Sequence, residues 1–481
     1  MSEDASAGIW SQLRNRDHTR GPLSISLLVL AAPLLATSLS GAIFQLSDLK
    51  FVSDIGEEAV TAVVVTNQSF RQVVMILLMG ASFGAQGMIS RMTGEGRLSD
   101  AEHMAGQILT MGLVISIGVA AAGLLHGEWM LDVMNVSPHI QRLALPYLHW
   151  SFAMSFGWIF VALFSAILNG AGDATTPMLI TLLHTLTSLL AEWLLIYGYT
   201  PMAPFRIESV AIGQASGQCL GVAVALAVLF RGTSRVHIRV RHLIPHPRAL
   251  RQLAAQAWAP ALQMVGSFVV TAYFLRLAGE FSDQAQTAYS IGLRISMVGP
   301  MIAFPLAGAC ATLVGQNLGA GNVQRAWQSM WVSLAAHASI LCGIALWLLA
   351  YRVELVGWFT TDPEVIDLSS DLVAYQAGAF FAWGFYFVFF RTLQGAGDVF
   401  VPMLMATANS LFITLPVGWY LATQTDMGPT GLFQATLIGA FTVTLPLGAY
   451  VASGRWVRIG LAMRGLEPAG ATIKEETPRE E

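Results

Sequence analysis

The sequence predicts an all-α integral membrane protein with twelve transmembrane helices in two six-helix halves. Three observations carry this. Apolar residues make up 55% of the 481 residues and charged ones only 11%, against roughly 25% charged in a soluble protein. So few charges cannot cover a soluble surface. The apolar residues also fall in continuous runs that reach the roughly 20 residues of a spanning helix, not in alternating stretches of about 10 as in outer-membrane strands. Finally, one stretch is written twice. Leu168-Asn169-Gly170-Ala171-Gly172-Asp173, with Pro177 after it, returns as Leu393-Gln394-Gly395-Ala396-Gly397-Asp398, with Pro402 after it. The same offset carries Gly94 onto Gly319 and Gly96 onto Gly321.

Taken in order, the spans are expected at 23–47, 59–90, 103–126, 143–167, 175–199, 208–230, 252–278, 285–315, 328–351, 372–394, 400–422 and 430–453. The chain then divides into an N-terminal segment (1–22), a first lobe (23–230), a basic linker (231–251), a second lobe (252–453) and a tail (454–481). No cleavable signal is expected, because the first apolar run exceeds the 7–15 residues or so of a signal core.

Charge sets the orientation. Of the 25 Lys and Arg residues, 17 lie in the termini and even-numbered loops, four in the odd-numbered loops and four within or beside spans. Basic loops stay in the cytoplasm, so both termini are expected there, with a bacterial inner membrane as the location. The basic linker, broken by Pro245 and Pro247, is short and flanked by membrane spans. It reads as a topology-setting segment with lipid headgroup contact, and no nucleic-acid partner is expected. Cys219, Cys310 and Cys342 lie in apolar segments without metal-type spacing, so they read as small buried residues and no metal is expected.

The glycines divide into two kinds. Gly213, Gly217 and Gly221 in span six, and Gly80 and Gly84 in span two, recur every fourth residue. That spacing lets helix backbones approach closely. The Gly-Ala-Gly-Asp sequences follow membrane spans rather than strands, so they are not dinucleotide fingerprints. They read as tight turns in which Asp173 and Asp398 cap the next helix.

These turns resemble those of the multidrug and toxic compound extrusion family, a Gly-x-Gly-Asp-x-x-x-Pro sequence after spans four and ten. Pro33, Asp48 and Phe51-Val52 resemble that family's Pro…Asp-x-x-Phe-Val segment. The run from Gly80 and Gly84 through Ser90-Arg91 to Gly94 and Gly96 resembles its second-span exit. The resemblance covers roughly residues 23–453. It implies an antiporter that exports small amphipathic or cationic compounds. Two lobes would form a V around a central cavity and alternate between inward- and outward-open states, driven by protons or sodium with no other cofactor. The internal repeat supports two lobes independently, since transporter sites commonly lie at repeat interfaces.

Ionisable groups inside a membrane are costly and mark functional positions. Asp48 in span one and Glu192 in span five lie about 9 and 12 Å from the outer helix ends, at about 1.5 Å per residue. In the DinF-type branch of the family, span five carries Asn and, four residues on, Asp. The positions here are Ser188 and Glu192. His184, Ser188 and Glu192 share roughly 80° of one helix face, so His184 could extend a proton relay. Arg71 in span two is a possible counter-ion that would hold one acid ionised. Lys50 stands two residues from Asp48, a spacing that does not face it on a helix. The sodium-coupled branch uses acids in spans seven and ten. Here span seven has none before Glu280, and span ten none between Asp371 and Asp398. Protons rather than sodium are the expected coupling ion.

Met75, Gln263, Tyr273 and Trp383, with the aromatic residues around Trp383 in span ten, are candidates for the substrate cavity. Aromatic faces attract organic cations, and methionine adapts to varied shapes. The alternative function is a lipid-linked precursor flippase of related repeat architecture, for which Arg71, Arg294 and Arg391 would supply a basic cavity. An intramembrane enzyme is not expected, since no His pair, paired Asp motif or Gly-x-Ser-x-Gly elbow lies within a span. The small-molecule substrate and the bilayer are the expected partners; oligomeric state is not legible.

Overall fold

A computed structural model describes residues 16–68, 70–134, 137–198 and 207–463. Among the described residues, eleven helices are long and apolar enough to cross a bilayer, and a bent helix pair, counted as one span, makes the twelfth. Span one is Leu23–Ile55 and span two is Arg71–Gly94, with a shorter helix, Glu57–Gln68, before it. The continuous second span expected from residue 59 is thus divided. Spans three, five and six are Leu98–Val133, Thr175–Ile196 and Glu208–Arg231. Span four is the bent pair, Pro138–Ala153 and Ser155–Ala171, turning by 44°. Spans seven to ten are Pro247–Phe281, Asp283–Gly319, Val323–Gly357 and Pro363–Ala396. Span eleven, Phe400–Thr423, contains a π-helical turn at Ser410–Thr414, and span twelve is Thr430–Ala452. The N-terminal stretch 1–15 and the tail beyond Met463 lie outside the described residues.

Two boundaries differ from expectation for clear reasons. Span seven begins at Pro247, not 252, because Pro is well suited to the first helical turn. The basic linker is therefore shorter, and it is docked. Gln107 of span three donates through Nε2 to the carbonyls of His242 (2.8 Å) and Ile244 (2.7 Å), and the His246 amide donates to Gln107 Oε1 at 2.8 Å. Just after span twelve the chain forms another helix, Arg455–Ala462. Its Trp456 is fully buried beside Trp327, with ring centroids 4.9 Å apart.

The repeat is visible in the turns. Gly172 and Gly397 both adopt left-handed φ, +91° and +88°, which favours glycine. Asp173 Oδ1 accepts from the Thr176 amide at 2.9 Å, and Asp398 Oδ1 from the Val401 amide at 3.4 Å. Each lobe has its own core, around Met88, Leu163 and Phe164 in the first and Val314, Phe390 and Trp456 in the second. Spans cross between lobes as well, for span one packs on span eight and span seven on span two.

The end of the molecule that carries the basic loops is sealed by reciprocal contacts. Arg91 Nη1 donates to the Gly395 carbonyl at 3.3 Å, and Gln316 Nε2 donates to the Gly170 carbonyl at 3.1 Å. Donor and acceptor are both shifted by the offset of the repeated turns. Gln86 Nε2 adds a bond to Thr312 Oγ1 at 3.0 Å. Arg391 is buried there, donating to Gln394 Oε1 at 2.8 Å and to Gln86 Oε1, with its guanidinium 4.4 Å from the Phe83 ring centroid. It is neither a snorkelling side chain nor the counter-ion of a carboxylate; it bridges the lobes. Arg294 is exposed.

Candidate functional site

In the first lobe, spans one, five and six converge on two carboxyl groups. The glycine stripe of span six and the polar face of span five form a single interface. A Cβ on Gly213 would lie 2.4 Å from Glu192 Cγ, and one on Gly217 would lie 2.2 Å from Ser188 Oγ. Only glycine leaves room for those side chains between the helices. Glu192 is fully buried, and neither of its carboxyl oxygens has a hydrogen-bond partner among the described residues. Ser188 Oγ donates to the Gln214 carbonyl at 3.2 Å, and Gln214 Nε2 donates to Asp48 Oδ1 at 2.9 Å. Asp48 and Glu192 are close enough to interact electrostatically. The chain of contacts Asp48–Gln214–Ser188 therefore runs beside Glu192.

Gln214 is absent from the sequence reading. Its signal was an amide side chain next to the first glycine of the stripe, Gly213-Gln214, with a second amide, Gln218, next to Gly217. His184 shares the face, but its Nδ1 has no hydrogen-bond partner and its ring lies 6.5 Å from that of Phe44. Arg71 forms no ion pair with either acid among the described residues. It donates to Asn67 Oδ1 at 2.7 Å, lies 5.7 Å from the Trp158 ring centroid, and reaches Asp48 only as a more distant charge. Lys50 pairs with Asp54, at 2.5 Å, not with Asp48. A void of about 10 Å³ between Arg71, Ser151, Trp158 and Gln214 completes this side.

In the second lobe, a cavity of about 260 Å³ opens among spans seven, eight, ten, eleven and twelve. Trp383 lines it. Gln263 lies beside it, donating through Nε2 to Oη of the lining residue Tyr386 at 2.7 Å. Tyr273 and Met75 are not among its lining residues; Tyr273 is half-buried beside Phe274, and Met75 is exposed on span two. The candidate substrate residues are thus brought together only in part.

Twelve membrane helices in two repeat-related lobes, locked at one end and holding paired carboxyls in one lobe, have the build of a multi-pass membrane transporter rather than an enzyme. The MatE family model matches the chain twice, over residues 33–194 and 259–420, and the chain belongs to that family. It is 24% identical over 451 residues to the "Probable multidrug resistance protein NorM" of Thermotoga maritima, covering 91% of this chain and 94% of that one. It is 25% identical over 426 residues to the "Multidrug resistance protein PmpM" of Pseudomonas aeruginosa, covering 86% and 88%. A crystal structure of a MATE transporter in the bent conformation superposes with a TM-score of 0.85 at 17% identity, covering 94% of this chain and 98% of the other.

Proposed function

We propose that this transporter is a proton-coupled antiporter of the DinF-type branch that exports small amphipathic or cationic organic compounds from the bacterial cytoplasm. The observation that carries the reading is Glu192, fully buried with two unpartnered carboxyl oxygens beside Asp48. An ionised carboxylate without partners is costly to bury, so a site of this kind favours exchanging a proton over keeping a fixed charge. Asp48 takes the proton from the outer side, Gln214 and Ser188 fix the geometry, and the proton leaves when the lobes reclose. The second lobe has no such pair in spans seven and ten, which favours the first lobe as the coupling site. The names of the relatives, multidrug resistance proteins of bacteria, support export of drug-like compounds. The basic loops support cytoplasmic termini.

The flippase alternative asks for a basic cavity. Arg391 is engaged in the lobe seal and Arg294 is exposed, so export is preferred. The test is efflux of a fluorescent organic cation from proteoliposomes under an imposed pH or sodium gradient. Proton-driven efflux that is lost in Asp48→Asn and in Glu192→Gln is the expected result. Efflux driven by sodium alone would reassign the ion, and full proton-driven activity in both variants would make the pair structural.

A further inference from the structure

At the offset of the repeated turns, Asp48 stands opposite Tyr273 and Glu192 opposite Val417, so the second lobe carries no carboxyl at either position. The next residues along, Phe274 and Gly418, pack closely, for a Cβ on Gly418 would lie 2.2 Å from Phe274 Cζ. Where the first lobe holds two carboxyls, the second holds an aromatic ring against a glycine. The flanking void has changed as well. Ser151 and Trp158 line about 10 Å³ in the first lobe. Gln376 and Trp383, their counterparts at the offset of the repeated turns, line about 260 Å³ in the second.

This larger cavity carries no charged side chain. Gln376 is only 4% exposed, and its Oε1 has no hydrogen-bond partner. Tyr289, stacked on Phe433 with centroids 6.2 Å apart, brings in a hydroxyl that makes no hydrogen bond among the described residues. Buried polar groups are normally satisfied, and each exception calls for an explanation. The opposite wall is fixed. Asn409 is saturated by Gly439, Thr414 and Thr442, which hold the π-helical turn of span eleven against span twelve. Such turns are frequent at functional sites.

We infer that the second-lobe cavity is a binding site for an uncharged organic molecule that joins an aromatic ring to an amide or hydroxyl, separate from the carboxyl pair of the first lobe. The Gln376 amide pairs with the polar group of the ligand, Tyr289 supplies the second hydrogen bond, and the ring lies among Phe274, Trp383 and Tyr386. The inference deepens the exporter reading by adding a neutral amphipathic class to its cargo beside the cations, and it rests on that reading for the ligand to be cargo.

The test is equilibrium binding of 7-hydroxy-4-methylcoumarin, at a pH where its hydroxyl is neutral, to the full chain in nanodiscs, read by fluorescence anisotropy with no ion gradient. Acetanilide and phenyltrimethylammonium, of equal heavy-atom count, serve as neutral and cationic competitors. Acetanilide is expected to displace the coumarin, and phenyltrimethylammonium to leave it bound. Gln376→Leu and Tyr289→Phe should each weaken binding about tenfold, as for loss of one hydrogen bond to a neutral group. The parent side chains have no partner to lose, so the variants retain the fold. Equal displacement by the cation, unchanged affinity in both variants, or no coumarin binding would each overturn the inference. Binding that is retained while gradient-driven efflux fails would sink the antiporter reading and leave the site standing.

Discussion

At the scale of single residues, the first-lobe site depends on atoms that are missing as much as on those present. Gly213 and Gly217 let Glu192 and Ser188 lie between two helices. Gly217→Val is therefore expected to force spans five and six apart, at about 1–3 kcal/mol for overpacking. The check is the thermal unfolding midpoint in detergent, which falls for Gly217→Val and holds for the same change at Gly41, where a Cβ meets nothing within 4 Å. Gln214→Leu removes the donor to Asp48 Oδ1 while keeping the volume close. It should shift the pH dependence of efflux without unfolding the protein; an unchanged profile would show that the amide does not set the state of Asp48.

Among elements, the N-terminal segment does more than lead into span one. His18 is fully buried, its Nε2 lies 3.2 Å from the Gly172 carbonyl, and its own carbonyl accepts from Arg325 Nη2 at 3.3 Å. The segment thereby ties the first-lobe turn to the first turn of span nine in the second lobe. Burial, reinforced by Arg235 and Arg16 and opposed by the Gly172 contact and Asp17, lowers the His18 imidazole from 6.5 to about 4. A group whose docked pKa is depressed in this way binds more protons when undocked, so stability rises with pH. The contact is at full strength above about 6.5 and weakens as pH falls from there toward 4. Amide protection factors of residues 16–21, which divide out the intrinsic slowing of exchange as pH falls, should drop by up to about tenfold between pH 7.5 and 5.5 in the wild type and not in His18→Leu. Equal behaviour of the two would remove histidine from the contact.

For the whole molecule, the sealed end is the state that transport must break. Gly94 and Gly319 make it possible, for a Cβ on either would fall 2.1 Å from the Gln316 carbonyl oxygen or 2.2 Å from that of Arg91. Gly319→Leu cannot close this end. Spin-label distances across it, read by double electron–electron resonance, should lengthen by several ångströms relative to wild type. Unchanged distances would mean that the seal tolerates a side chain there.

The sequence alone determined the class, the repeat and the spans, because membrane burial demands long apolar runs and a duplicated turn is recognisable without coordinates. It also located Asp48 and Glu192, since a charge inside a span stands out by its cost. Pairings between helices remote in the chain were decided only by the tertiary structure. A residue such as Gln214, polar but uncharged, becomes informative only when span six brings it to Asp48. The same holds for Arg71, which the sequence offered as a counter-ion, and Arg391, which it offered to a basic cavity; folding gave the first to Asn67 and Trp158 and the second to Gln86, Gln394 and Phe83. The substrate candidates were separated in the same way, with Trp383 in the second-lobe cavity and Met75 on an outer face. Local pattern specifies which face of a helix is polar, but only packing between helices decides what that face meets.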